Sequence, residues 1–161
     1  MFEETSDKQY KIGGRDACSL MTGNWIELYC RKMKIKKSNS NNFQAYQRSI
    51  SSRIGMATEV ENLNILQYEI EEEIYPDISV DEREDLPWMC SQLDGMTHDT
   101  HTPCEAKHTY ESNSFQNVLQ KCYPQLQHYL LHTNREKIYL SVLFGTRGYL
   151  YASIPVDFKY Q

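Results

Sequence analysis

Asp94-Gly95, followed eleven residues later by Glu105-Ala106-Lys107, constrains this chain more than any other stretch. Leu93 to Met96 and Cys104 to His108 are short runs separated by polar residues from His98 to Pro103, a pattern that predicts adjacent strands joined by a loop. Side chains alternate faces along a strand, so Glu105 and Lys107 project to one side, where Asp94 of the neighbouring strand can meet them. Two carboxylates so placed offer hard oxygen ligands to Mg²⁺, with Mn²⁺ able to substitute, and the backbone carbonyl of Ala106 can add another. Lys107 then lies close enough to orient or deprotonate a water, a constellation suited to phosphodiester hydrolysis. The competing reading is a surface hairpin carrying three solvated charges, since Asp, Glu and Lys are common residues.

Three further segments bear on that choice. In Tyr10-Lys11-Ile12-Gly13-Gly14-Arg15-Asp16, two glycines before a short apolar run place backbone N–H groups at the opening of a helix. With Arg15 this makes an anion-binding corner, unless it is an ordinary Gly-Gly turn with Asp16 complementing the helix dipole. Residues 51–74 are expected to form one helix, with Ile54, Val60, Leu63, Ile65, Leu66, Ile70 and Ile74 on a broad apolar face. Glu59 on that helix is available as a further ligand. Glu61 competes with it, and the two point about 200° apart, so only one can face a given site. Tyr123 to Leu131 reads as a helix begun at Pro124, a favoured first-turn residue, and Lys137 to Gly145 as a buried strand. A glutamine on that helix can hydrogen-bond a nucleophilic water or a phosphate without adding charge.

Taken in order, Ile12-Gly13-Gly14-x-Asp16-Ala17, Gly55-x-x-x-Glu59 running on to Tyr68-Glu69, Asp94-Gly95, Glu105-x-Lys107 and Gln125-x-Gln127-x-Tyr129 resemble the lambda-exonuclease or YqaJ-type viral recombinase nucleases of the PD-(D/E)xK superfamily. The resemblance spans residues 8–144. It implies a restriction-endonuclease-like α/β core and a Mg²⁺-dependent exonuclease that degrades linear duplex DNA from 5′ ends to mononucleotides. The 3′ single strand left behind is the substrate of a strand-annealing partner protein in viral recombination. On this resemblance Asp94, Glu105 and the carbonyl of Ala106 fall on the family's metal ligands, Lys107 on its catalytic lysine, and Gln127 on the glutamine near the attacking water. Glu59 falls on the helix glutamate when counted from Gly55, and Glu61 when counted back from Tyr68-Glu69; Glu59 is the one adopted. Arg15 stands where the family usually has a serine that touches the terminal 5′-phosphate, and Lys8 where an arginine often does. Both departures keep cations suited to phosphate. Family members carry further C-terminal structure that builds a ring-shaped trimer, which leaves the oligomeric state of this chain open. A structure-specific endonuclease on the same core and a catalytically silent binding module are the rival readings.

Composition restricts the remaining classes. With 161 residues, 40% of them hydrophobic, the chain can bury a core, and 1–161 reads as one domain. No apolar run approaches the roughly 20 residues of a membrane span, and the charged N-terminus does not resemble a secretory signal, so a cytoplasmic location is expected. Five cysteines with no Cys-x-x-Cys spacing indicate reduced thiols rather than disulfides, a zinc knuckle or an iron–sulfur cluster. His98 and His101 fit a polar hairpin loop better than a metal pair. A net charge of −5 matters less to DNA binding than where the charge sits. Arg31, Lys32 and Lys34, with Lys36 and Lys37, form a basic cluster followed by Arg48 and Arg53, suited to neutralising phosphates, or to serving as a solvated helix end. Between Glu69 and Asp85 nine carboxylates face Arg83 alone, an acidic connector expected to turn away from DNA or to bind a basic partner.

The order of elements is then two N-terminal helices, a polar loop over 36–42, the long helix, the acidic connector, strands near 88–95 and 102–109, one or two helices over 113–132, and strands near 136–144 and 148–154. That succession predicts a mixed central sheet flanked by helices, an α/β arrangement.

Overall fold

The computed structural model describes residues 10–34 and 42–160, and the side chains of 42–49 and 51 lie outside that description. Lys8, Lys36, Lys37 and, of the loop expected over 36–42, all but Asn42, which opens a helix, fall outside the described residues, as does the side chain of Arg48. The elements in chain order are α1 (Gly14–Met21), α2 (Trp25–Lys32), α3 (Asn42–Ile70), β1 (Ile74–Ser79), β2 (Gln92–Thr97), β3 (Pro103–Thr109), α4 (Phe115–Thr133), β4 (Lys137–Phe144) and β5 (Gly148–Pro155). The five strands lie in one sheet in sequence order, antiparallel except where β3 runs parallel to β4. A parallel neighbour requires a crossover, and α4 supplies it. The expected mixed sheet flanked by helices is the observed architecture.

Two helices cover the sheet from opposite sides, because the alternation of side chains divides each strand between them. On one side α4 buries Val118, Cys122, Leu126, Tyr129 and Leu130 against Leu93, Ile138, Leu140, Val142 and Ile154. On the other, α3 sets Leu63 and Leu66 on Ile74 and Cys104. Each fully buried leucine there contributes roughly 1.5–3 kcal/mol relative to exposure. Strand β4 is an interior strand buried along most of its length, as its mainly apolar run anticipates.

Several boundaries differ from expectation, among them the start of α3, at Asn42 where the helix is expected from residue 51, and β2, at Gln92–Thr97 where a strand near 88–95 is expected. Helix α3 ends at Ile70, and Ile74 opens β1 instead of closing the helix. The chain turns through Glu71, at φ 55°, and the amide N–H of Ile74 donates to Gln67 Oε1 at 2.9 Å, so a side chain of the helix caps the strand that follows it. The α3 stripe is also narrower than its periodicity suggested, since Ile54 and Val60 are exposed. The acidic connector holds β1, and Glu72 is spent on structure: its carboxylate accepts the amide N–H groups of Asp99 (3.0 Å) and Thr100 (2.7 Å), pinning the β2–β3 loop. Finally, α4 begins at the Ser114 cap, whose hydroxyl accepts Asn117 N–H at 3.2 Å, so Pro124 sits inside the helix and not at its start. Pro124 leaves one helical carbonyl without its usual donor, and the packing of α4 on the sheet outweighs that local defect.

In the β2–β3 loop, His98 pairs with Asp99 and meets Tyr75 edge-on. Cys18, Cys30, Cys104 and Cys122 are free thiols. Among the described residues no helix is long and apolar enough to cross a membrane.

Candidate active site

Strands β2 and β3 pair only at Gly95–Cys104 and Met96–Pro103 and then part. Asp94 and Glu105 stand at the point of divergence, and Asp94 Oδ2 accepts the amide N–H of Ala106 at 2.8 Å in place of a ladder bond. Gly95 allows this corner to close: a Cβ there would lie 2.7 Å from Ile74 Cγ2. Beyond the fork opens a pocket of about 480 Å³ lined by Asp94, Glu105, Ala106, Lys107, Glu59 and Arg15, among others.

Glu105 is 1% exposed. Its Oε1 accepts both the Lys107 ammonium and Gln125 Nε2, the latter at 2.8 Å, while Oε2 is buried without a hydrogen-bond partner. Burial pushes its carboxyl up to about 7 against the pull of Lys107, and the nearby Asp94 adds to the rise. Asp94 is raised by burial too, opposed by Lys107 and the Ala106 N–H. Burial and Asp94 raise Glu59 in turn. Burial disfavours the Lys107 ammonium, but Glu105 and Asp94 outweigh it and the group stays charged. Three carboxyl groups held above their ordinary range mark a cluster short of positive charge.

The helical residues settle the open alternative on α3: Glu59 lines the pocket, whereas Glu61 is exposed outside it. On α4 the structure corrects the expected glutamine. Gln127 points away from the pocket, with its amide donating to Pro155 O at 3.0 Å and accepting Asp157 N–H at 2.8 Å, so it ties α4 to the end of β5. Gln125 takes the position at the site, bonded to Glu105 and, at 2.9 Å, to Tyr129 OH. Two residues on a helix differ by about 200°, so both glutamines cannot face one pocket. The sequence signal for Gln125 is its i, i+4 relation to Tyr129 on the stripe that also carries Cys122 and faces the sheet.

The N-terminal segment reaches the pocket by pairing beside residues 88–90, where Ile12 N–H donates to Trp88 O and Cys90 N–H to Ile12 O. Gly14 then packs the start of α1 onto α4, where a Cβ would meet Gln125 Cγ and Tyr129 Cε1 at 2.8 Å. Arg15 projects exposed at the rim. The basic cluster behaves differently from expectation. Arg31 and Lys32 pair with the buried Asp16 at 2.5 and 2.6 Å, and Lys34 is exposed beyond α2, outside the pocket lining. A buried carboxylate requires such compensation, so Asp16 holds two of the cations that the sequence offered to DNA.

The donor set suits a hard divalent cation. Glu105 Oε2 lacks a partner, Asp94 adjoins it, and all the side-chain ligands are oxygens. Among the described residues no group of three or more His, Cys, Asp or Glu side chains is placed to hold a metal ion together. An ion here would complete its shell from backbone carbonyl and water, as Mg²⁺ commonly does.

No family model and no curated protein matches the chain. Among solved structures it is similar to LHK-Exo in complex with dAMP, with TM-score 0.68 and 17% identity over 99% of this chain and 85% of that one. It is similar also to the alkaline exonuclease LHK-Exo from Laribacter hongkongensis, with TM-score 0.64 and 14% identity over 94% and 83% of the two chains. A third likeness is to SSO0001, with TM-score 0.50 and 12% identity over 87% and 80%. With the forked strands and flanking helices described above, these likenesses show that the chain has the restriction-endonuclease-like fold.

Proposed function

We propose that this chain is a Mg²⁺-dependent deoxyribonuclease that degrades linear duplex DNA from 5′ ends to mononucleotides. The observation that carries this reading is the buried Glu105, with one oxygen unpartnered, beside Asp94 and Lys107 in an open pocket. The likeness in fold to an alkaline exonuclease, one form of which holds dAMP, supports it.

Asp94, Glu105 and the carbonyl of Ala106 would hold the cation, with Glu59 across the pocket. When bound, Mg²⁺ or Mn²⁺ supplies Lewis-acid charge to a phosphoryl oxygen and acidifies a water. Gln125 holds Glu105 by its amide, fixing which carboxylate oxygen remains available. Lys107 stays protonated between Glu105 and Asp94 and acts as a fixed positive charge that orients a water and stabilises charge developing on the phosphoryl group. Arg15 and the N-terminus of α1 form the rim on which a terminal phosphate is received. The 3′ strand that survives is then a substrate for an annealing protein.

Digestion of linear duplex DNA with and without a 5′-phosphate, beside covalently closed circles, tests the reading. Mononucleotide release from phosphorylated linear DNA in Mg²⁺, reduced at least about 100-fold in Lys107→Ala, is the expected result. Cleavage of circles would replace it with an endonuclease, and inactivity on both substrates would replace it with a binding module.

A further inference from the structure

Helix α3 delivers Glu59 to the pocket, yet its apolar anchorage is slight: Leu63 and Leu66 are its buried hydrophobic side chains among the described residues. What ties the turn around Glu59 to β3 is polar. Asn62, 1% exposed and one turn beyond Glu59, donates through Nδ2 to Lys107 O at 3.0 Å and to Ser141 O at 3.3 Å. Both acceptors are carbonyls, so the orientation of this amide is fixed by chemistry. Its Oδ1 can only accept, and receives Ser141 Oγ at 2.6 Å. The single Ser141 hydrogen is thereby used, and Tyr149 OH, 3.0 Å away, donates to Ser141 in turn. A chain of hydrogen bonds, buried at Asn62 and Ser141 and half-buried at Tyr149, thus runs from β5 through β4 and α3 to the backbone of Lys107.

Thr58, the residue before Glu59, makes a second tie. Its Oγ1 lies 2.9 Å from Ile54 O, 3.1 Å from Gly55 O and 3.0 Å from His108 Nδ1, so the hydroxyl joins the helix backbone to the imidazole, with the donor set by the His108 tautomer. Glu59 is therefore bracketed by Thr58 and Asn62, bonded to the adjacent β3 residues His108 and Lys107.

We propose that Asn62, assisted by Thr58, is a positioning residue that holds α3 in register on β3 and so fixes Glu59 relative to Asp94, Glu105 and Lys107. This rests on the nuclease reading of the same pocket. Fully satisfied buried polar networks specify one arrangement where apolar packing would allow sliding, and displacement of a reacting group by about 1 Å costs on the order of 100-fold in rate.

The test is a double-mutant cycle on linear duplex DNA, with kcat and KM measured separately and folding checked by thermal unfolding. Asn62→Leu is expected to lower kcat about 100-fold with KM within about threefold, and to have no further effect in a Glu59→Gln background. Thr58→Val, which keeps shape but not the hydroxyl, should lower kcat by a smaller factor that Thr58→Ser restores; this pair carries the test if Asn62→Leu fails to fold. Multiplication of the Asn62 and Glu59 effects, or unchanged kcat in folded Asn62→Leu or in Thr58→Val, overturns the proposal. Full activity of Glu59→Gln also overturns it while leaving the nuclease reading intact, whereas an inactive wild-type chain removes both.

Discussion

At the scale of residues, the pocket concentrates features that folding alone would avoid. Glu105 is buried with one oxygen unpartnered, an arrangement that costs about 1–3 kcal/mol and suits a ligand rather than a structural group. The two glutamines of α4 separate function from stability. Gln125→Ala should reduce kcat per folded molecule about 10- to 100-fold, because it frees Glu105 to move. Gln127→Ala should leave kcat per folded molecule unchanged and lower stability by about 1–3 kcal/mol, since the Asp157 amide loses its acceptor; urea unfolding beside steady-state kinetics distinguishes them. His128 and His132 carry a pH dependence of another kind. Burial lowers both below the ordinary value of 6.5, with Arg83 and Lys11 adding to the effect on His132 and Asp85 opposing it. The unfolded chain binds these protons more readily, so the associated stability is complete above the unfolded value and is lost as pH falls through it. Urea midpoints measured between about pH 7.5 and 5.5 should fall, and should fall less in His132→Gln.

Among the elements, the fork of β2 and β3 and the seat of α1 on α4 decide where chemistry is possible. Both depend on a missing Cβ. Gly95→Ala forces a methyl group to within 2.7 Å of Ile74 Cγ2 beside the Tyr75 carbonyl, so it should destabilise the fold by about 1–3 kcal/mol and disturb Asp94. Thermal unfolding and activity should decline together in that variant. Element identities were largely readable from the sequence: the strands around Asp94 and Glu105, the buried β4 and the hairpin partner β5 follow from runs and turns. The end of α3 and the strand β1 within the acidic connector were not, and the sequence allows one or two helices over 113–132 where the single helix α4 forms. An isoleucine at 74 fits a helix stripe and a strand alike, and only Gln67 reaching the Ile74 amide shows which one forms. Pro124 reads as a helix start because local sequence does not reveal that Ser114 caps the helix ten residues earlier.

For the whole molecule, a net charge of −5 coexists with the exposed Arg15 at the pocket rim because the charges are partitioned by the fold. Arg31 and Lys32 neutralise Asp16, Glu72 holds the hairpin loop, and Arg15 and Lys107 remain at the pocket. Binding of Mg²⁺ or Mn²⁺ to Asp94 and Glu105 should raise thermal stability by about 2.7 kcal/mol at a hundredfold excess over Kd. Asp94→Asn should lose this response in a thermal-shift titration; an equal response in that variant would place the ion elsewhere.

The sequence by itself determined the chemistry on offer: Asp94, Glu105 and Lys107 at strand spacing, a glycine-led helix start with Arg15, and enough apolar runs for a mixed sheet. Period and turn residues act over neighbours, so they are legible without a structure. Only the tertiary structure decided which of two candidate residues faces the pocket. Glu59 rather than Glu61, and Gln125 rather than Gln127, follow from the rotation of each helix against the sheet. Arg31 and Lys32 are bound to Asp16 because a buried carboxylate needs its countercharge. These choices depend on contacts between segments distant in the chain, and no local pattern encodes them.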